Sequence, residues 1–305
     1  MTLTPFSENF APLDEGVFFT VNAGEEGPAD IRLDIVDSMS GNVVATQQLR
    51  GVRRTKVNIA PYINRFTERT PSQYPYATFN DAPTAIHHIR VEEKCSSSII
   101  TSVNLVRPTL PAIISAMPLS RSISHGESDE VLILAEEGDS ITAELTSDKG
   151  EELAIEYTST TGAVIFTLST NDFHQDTRTV DVAFACNGTP LGTIRYNLAP
   201  RYKRSARLAW ISEQGTIERY TFPTIAFATR EKGAKRTVAL QSHYEPCATI
   251  EALAEIVASP KVWLEREGTY REVTVATSTI NYNLFNKPDS IILTLSSEGR
   301  EEALW

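Results

Sequence analysis

The sequence predicts an all-β chain of several antiparallel sandwiches with one short helix, on three observations. Apolar and polar residues alternate at a two-residue period, as at Ile31, Leu33 and Ile35 around Arg32 and Asp34, which is the pattern of a half-buried strand. Turn residues interrupt such stretches at short intervals, as in antiparallel β domains. The helical i, i+3, i+4, i+7 spacing stands out once, at Ile250, Leu253, Ala254 and Val257. The chain has 305 residues, 41% of them apolar. That exceeds the roughly 250–300 residues at which one core stops growing, so several domains are expected.

The first expected domain covers residues 1–112. Val17-Phe18-Phe19-Thr20-Val21 and the stretch around Ile31 read as strands, and Ser40-Gly41-Asn42 supplies a turn before Val43-Val44-Ala45. Lys56-Val57-Asn58-Ile59 leads into Pro61, whose fixed φ suits the first turn of a brief helix over Tyr62-Ile63-Asn64-Arg65-Phe66. Ile86, Ile89 and Val91, and then residues 99–106, supply further strands. Between them, residues 67–83 form a connection longer than most in compact domains, rich in Pro, Thr and aromatic residues.

A Pro-containing stretch over residues 107–118 reads as the connection to a second sandwich at 113–200. Strands are expected at Val131-Leu132-Ile133-Leu134, Ile141-Thr142-Ala143-Glu144-Leu145, 153–157, 164–168 and 180–185. Gly138-Asp139, Asp148-Lys149-Gly150 and Thr161-Gly162 separate them, and Asn187-Gly188 is a tight hairpin turn because both residues tolerate positive φ. The third domain, 201–305, opens with a hairpin from Arg207-Leu208-Ala209-Trp210-Ile211 through Gly215 to Tyr220-Thr221-Phe222. A helix over 249–259 follows, capped by Thr249 and stopped by Pro260, before the chain returns to strands. Short strands at this spacing favour immunoglobulin-like sandwiches. No repeat of fixed period is visible.

The composition narrows function by exclusion. Lys and Arg number 28 against 39 Asp and Glu, a net charge of −11, which disfavours the cation-rich surface that nucleic acid requires. No basic start with an apolar run marks a secretory signal, and no apolar run approaches a membrane span, so a cytoplasmic or already processed chain is expected. Cys95, Cys186 and Cys247 are odd in number and far apart, which predicts free thiols. His87-His88 would point to opposite faces of a strand and could not share a metal. Ser124-His125 and His174-Gln175-Asp176 contain triad residue types but no nucleophile turn, and Glu92-Glu93, Glu136-Glu137, Glu151-Glu152 and Glu301-Glu302 read as solvated faces. There is no P-loop, dinucleotide loop or HExxH, so neither catalysis nor a cofactor or metal is expected. The candidate partner-binding residues are Tyr74, Tyr76 and Phe79 in the long connection, because aromatic rings bring large apolar area with few rotatable bonds.

The order of several phrases resembles a group of virion structural proteins of tailed phages, and of prophages, from gut anaerobes. The phrases are Phe10-Ala11-Pro12-Leu13, Ala29-Asp30-Ile31-Arg32-Leu33-Asp34-Ile35, Val57-Asn58-Ile59-Ala60-Pro61-Tyr62-Ile63, the Arg207 hairpin, and a short helix leading into Ser259-Pro260-Lys261-Val262-Trp263-Leu264. The likeness covers the first 65 residues and 205–305, and departs from the pattern in lacking a Cys just before Arg207. It implies a non-enzymatic subunit of a tail or baseplate assembly, in the virion or in the host cytoplasm before assembly. Its partners would be further copies of itself and other virion proteins. The alternative is a surface or secreted β-module that binds carbohydrate or protein.

Overall fold

The computed structural model describes residues 2–5, 17–24, 27–37, 41–64, 69–82, 88–93, 99–104, 111–200, 205–230, 236–266, 268–281 and 287–297. The chain is all-β, and it divides into two units. Unit 1 is Met1–Arg69 with Ala82–Ala112, and unit 2 is Thr70–Asp81 with Ile113–Trp305. Residues Thr70–Asp81 belong to the other unit, and the two later domains form one unit together.

In unit 1, β1 (Thr2–Pro5), β2 (Phe18–Asn22), β3 (Ala29–Asp37), β4 (Val43–Val52) and β5 (Arg54–Asn58) precede the short helix α1 (Ala60–Asn64). After an excursion through β6 (Thr78–Asp81), described with unit 2, come β7 (His88–Glu93) and β8 (Ile99–Asn104). One sheet has the order β1-β2-β5 and the other β4-β3-β7-β8. Phe19 and Val21 from the first sheet, Ile31, Leu33, Ile35, Ile89 and Val91 from the second, and Ile63 of α1 share one core. The alternation around Ile31 thus faces inward as expected. Asp34 on the opposite face is also fully buried, and Thr46 Oγ1, donating to its carboxylate at 2.6 Å, and Arg32 Nε, at 3.2 Å, offset the cost of burying it. Asn58 Oδ1 accepts the backbone N–H groups of Val17 and Ala60, tying the start of α1 to the start of β2.

In unit 2 the strands are β9 (Ala112–Ile114), β10 (Ser120–Ser124), β11 (Ser128–Leu134), β12 (Ser140–Ser147), β13 (Glu152–Thr158), β14 (Ala163–Ser169), β15 (Thr179–Cys186) and β16 (Thr189–Ala199). They form sheets of order β6-β14-β11-β9 and β10-β16-β15-β12-β13 around a core that includes Val131, Ile133, Phe166, Phe184 and Tyr196. In immunoglobulin letters both sandwiches place A-B-E in one sheet and C′-C-F-G in the other, as β1-β2-β5 with β4-β3-β7-β8, and as β9-β11-β14 with β13-β12-β15-β16. The repeat is topological, and no sequence period carries it. One pair departs from the antiparallel expectation: β10 runs parallel to β16, because the chain leaves the edge of the first sheet and continues in the same direction along the second. The stretch read as a connection over 107–118 therefore includes strand β9. Asn187 and Gly188, at φ 49° and 77°, make the expected two-residue turn, with Cys186 opposite Thr189.

The rest of unit 2 contains β17 (Ala206–Ile211), β18 (Ile217–Phe222), β19 (Thr224–Arg230), β20 (Arg236–Gln241), α2 (Cys247–Ala254), β21 (Val262–Arg266), β22 (Thr269–Val275) and β23 (Ile292–Ser297). The sheet order is β18-β17-β21-β22-β23-β20-β19. Its two halves meet where Thr274 and Val275 pair with Ser296 and Leu295 and the Ala276 N–H donates to the Thr294 carbonyl, and the sheet folds over so that Leu208, Trp210, Leu240 and Leu293 share a core with Ile250 and Leu253 of α2. The Arg207 hairpin pairs Ala206 with Phe222 through Ile211 with Ile217, as expected. The helix begins earlier than predicted. Pro246 precedes its first turn and accepts the N–H groups of Thr249 and Ile250, so Thr249 lies buried inside α2 rather than capping it.

Cys186 and Cys247 are free thiols, and Cys95 lies outside the described residues. Burial, with the Asp139 carboxylate beside it, pushes the Cys186 thiol up to about 11. Burial also raises Cys247, whose Sγ donates to Glu251. A thiol reagent at pH 8 should therefore spare Cys186 in the folded chain, since the thiolate is the reactive form. It should titrate all three cysteines once the chain is unfolded without reductant. Fast native labelling of Cys186, mapped by peptide mass, would contradict its burial.

Candidate functional site

The residues expected to meet a partner, Tyr74, Tyr76 and Phe79, fall in three different environments of unit 2. Tyr76 is 62% exposed and Tyr74 half-buried. Phe79 lies in the core of the immunoglobulin-like sandwich, its ring centroid 5.1 Å from Phe166 and 5.9 Å from Tyr157. Of the expected cluster, then, the ring of Phe79 is occupied within the fold. Strand β6 pairs antiparallel with β14, from Thr78 opposite Thr167 to Asp81 opposite Val164. Side chains fix the segment at both ends. Asp172 accepts the Ala77 N–H at 2.6 Å, Ser169 Oγ donates to the Pro75 carbonyl at 3.2 Å, and Asp81 accepts the Thr160 N–H at 3.1 Å and the Thr160 hydroxyl.

Burial pushes the Asp81 carboxyl up, but the Thr160 hydroxyl and N–H, with Tyr157 and Thr161, bring it below its ordinary value. A carboxylate depressed in the folded state contributes stability that is complete above its unfolded pKa, about 3.9 for Asp. That contribution is lost as pH falls through the lower folded value. Asp81→Asn should therefore flatten the acid limb of the stability–pH curve below about pH 4. Superimposable limbs in the two proteins would show that this carboxylate holds nothing.

The most heavily charged buried site joins the immunoglobulin-like sandwich to the folded C-terminal sheet. Strand β11 opens with Ser128, Asp129 and Glu130, all buried, and Glu127 before it is buried as well. Opposite them stand Arg207 of β17 and Glu218 and Arg219 of β18. Arg207 Nη1 donates to Glu127 Oε2 at 2.8 Å and Nη2 to the Ser128 carbonyl at 2.5 Å, while Nε lies 3.4 Å from Glu265 Oε2. Arg219 Nη2 donates to Glu130 Oε2 at 2.8 Å and to the Ser72 carbonyl at 3.2 Å, and its Nε donates to the Tyr270 hydroxyl. Arg121 of β10 donates to Asp129 Oδ2 at 3.1 Å and lies 3.8 Å from Glu218 Oε2. Glu218 in turn accepts the Ala116 N–H at 2.8 Å and the Thr216 hydroxyl at 2.6 Å.

Burial pulls each of these guanidinium groups toward neutrality, and their neighbours outweigh it. Tyr196, Asp129 and Glu218 raise Arg121, Glu127 leads for Arg207, and Glu130 leads for Arg219. The three guanidinium groups therefore keep their charge. The network's arginines and carboxylates are engaged with one another and with backbone groups, an arrangement that locks two β layers together rather than holding a proton ready for a substrate.

A cleft of about 900 Å³ opens at the end of the sandwich beyond β10, β14 and β16, lined by His125, Lys149, Asn171, Gln175, Asp176 and Arg178 among others. It brings together the two stretches with triad residue types, though not as a triad. Ser124 is buried outside the cleft, and its N–H donates to Glu127. His125 Nε2 donates to the Thr177 carbonyl at 3.0 Å, and His174 and Asp176 form an exposed pair at 3.6 Å. His87 and the side chain of His88 lie outside the described residues. Among the described residues no group of His, Cys, Asp and Glu has metal-binding geometry, and no helix is long and apolar enough to cross a membrane.

No family model matches the sequence, and no curated protein matches it. Among solved structures, a marsupial T cell receptor is 10% identical, with 97% of this chain and 92% of that chain covered and a TM-score of 0.23. The chicken interferon gamma receptor alpha chain is 9% identical over 62% of this chain and 93% of its own, with a TM-score of 0.19. The sheet orders described above, not these distant likenesses, carry the fold.

Proposed function

We propose that this chain is a non-enzymatic structural subunit of a phage-type tail or baseplate assembly, present in the virion and in the host cytoplasm before assembly. The observation that carries the reading is the buried Arg121, Arg207 and Arg219 network, which joins the sandwich to the C-terminal sheet in one compact unit. Stiffly coupled β layers suit a part that transmits force and position. The order of sequence phrases shared with virion proteins supports the same reading, and its partners are other copies and other virion proteins. The net charge of −11 would hold free subunits apart at low salt and let them associate as salt screens it. Light scattering across a salt series should show growing assemblies, and mass spectrometry of particles from an induced lysogen should detect the chain. A chain that is monomeric at every salt and absent from the particles overturns the reading.

The cleft beside His125 favours a second reading, a surface or secreted β-module that binds carbohydrate or protein. Its Asn171 and Gln175 amides with Lys149 and Arg178 offer the donors that an acidic saccharide would use. Titration calorimetry with acidic oligosaccharides, repeated on Arg178→Ala, tests it. Absence of heat in the unsubstituted chain removes it.

A further inference from the structure

Residues Thr70–Asp81 lie in sequence between two parts of unit 1, yet every contact described for them lies in unit 2. They add a fourth strand to a sheet whose other members, β14, β11 and β9, already supply the A-B-E set of the sandwich. The segment is therefore an addition to a nearly complete fold. Without it, β14 would present an unpaired edge over Val164, Ile165, Phe166 and Thr167, with the place of Phe79 empty against Phe166. An open edge with an apolar slot is a template for an extended chain.

The slot is shaped for one sequence. Phe79 enters the core, Thr160 donates to Asp81, Asp172 accepts from Ala77, Ser169 donates to the Pro75 carbonyl, and Arg219 donates to the Ser72 carbonyl. Every copy of the chain displays the same acceptor and carries the same donor. Exchange between copies preserves all of these contacts and changes only the connections on either side, which is why swapping an identical element is a low-cost route to association.

We propose that Thr70–Asp81 is an exchangeable donor strand: a second copy's 70–81 segment occupies the β14 edge and links the copies. The inference rests on the reading of the chain as an assembly subunit and names the contact by which it self-associates. Because the donor is an internal segment tethered at both ends to unit 1, exchange gives either a reciprocal pair or an open series of copies.

Asn80 and Ile165 are opposite each other in the register, the first exposed and the second half-buried, so a bridge between them leaves the core untouched. Directly opposed strand residues have Cα atoms about 4.5–5.5 Å apart, within disulfide range. The full chain carrying Asn80→Cys and Ile165→Cys is prepared in ordinary and nitrogen-15 forms. The two are mixed, associated at high salt and oxidised, and the peptide pair spanning positions 80 and 165 is weighed. Exchange predicts mixed-label pairs making up about half of the links in the associated fraction, and same-label pairs in the monomer. Associated material with same-label pairs alone overturns the donor strand while leaving the assembly reading standing. No association at any salt overturns both. As a check free of new cysteines, Phe79→Ala and Phe166→Ala chains should associate when mixed, intact donor on intact acceptor, and less well apart. Equal association in all three samples also overturns the proposal.

Discussion

Arg207→Ala is expected to cost unit 2 about 3–5 kcal/mol, the range for breaking one side of a buried ion pair. Arg207 is 5% exposed, and its guanidinium reaches Glu127, the Ser128 carbonyl, the Thr221 hydroxyl and Glu265. Truncation leaves Glu127 with the Ser124 N–H and the Thr221 hydroxyl among the described residues, and leaves Glu265 without this cation. Two carboxylates then remain in a low-dielectric junction without the charge that compensated them. For a unit of this size the midpoint of thermal unfolding should fall by roughly 6–20 °C, at about 2–4 °C per kcal/mol. The double variant Arg207→Met with Glu127→Leu should recover part of the loss, because it replaces one of the two orphaned carboxylates by an apolar group and leaves Glu265 with its Tyr270 hydroxyl partner. Both variants should be followed by denaturant titration. A loss below about 1 kcal/mol would place the pair among weakly contributing surface bridges and end the argument that this network stiffens the unit.

Several strands with one solvated face were legible. Ile31, Leu33 and Ile35 alternate with polar residues, and Asn187-Gly188 and Gly215 mark turns whose backbone requires positive φ. Strand β16, which was not among the expected strands, carries the same signal at Ile194, Tyr196 and Leu198, all buried and alternating with Thr193, Arg195 and Asn197. The pattern failed where both faces are covered. Strand β11 is buried along its whole length, so Ser128-Asp129-Glu130 reads as a polar lead-in when it is an interior surface. Period-two reasoning assumes that a polar residue faces water, and here it faces an arginine.

The junction was hidden for a related reason. Arg207, Glu218 and Arg219 sit inside apolar phrases, Arg207-Leu208-Ala209-Trp210-Ile211 and Ile217-Glu218-Arg219-Tyr220. Charged residues in strands otherwise built for a core are the one available clue that each has a buried partner. Which partner, some 80 residues upstream for Arg207 and Glu127, depends on how two sheets stack and leaves no local trace. The same holds for β6. Its length and aromatic content signalled that the connection had a role, but the pairing with β14 joins residues far apart in the chain, and only the alternation of Phe79 between Thr78 and Asn80 hints at a strand.

Phe79→Ala should then destabilise unit 2 although the residue lies, in sequence, among strands of unit 1. The ring is 5% exposed and contacts Phe166 and Tyr157, so truncation removes a core aromatic and leaves a cavity, at a cost of about 3–5 kcal/mol. The change leaves the four register pairs of β6 chemically possible, but their anchor is gone. A fourth strand of four residues held at an edge by backbone bonds alone is marginal, so amide protons of β14 at Ile165 and Thr167 should exchange faster than those of β12 and β15 in the opposite sheet. Tyr76→Ala, which removes an exposed ring three residues away, is the control and should stay within about 0.5 kcal/mol of the unsubstituted chain. Calorimetry that lowered the unfolding of unit 1 and left unit 2 unchanged would mean that Phe79 belongs to the sandwich its neighbours in sequence build. An equal loss in both variants would mean that the segment is held by its surface rather than by the ring in the core.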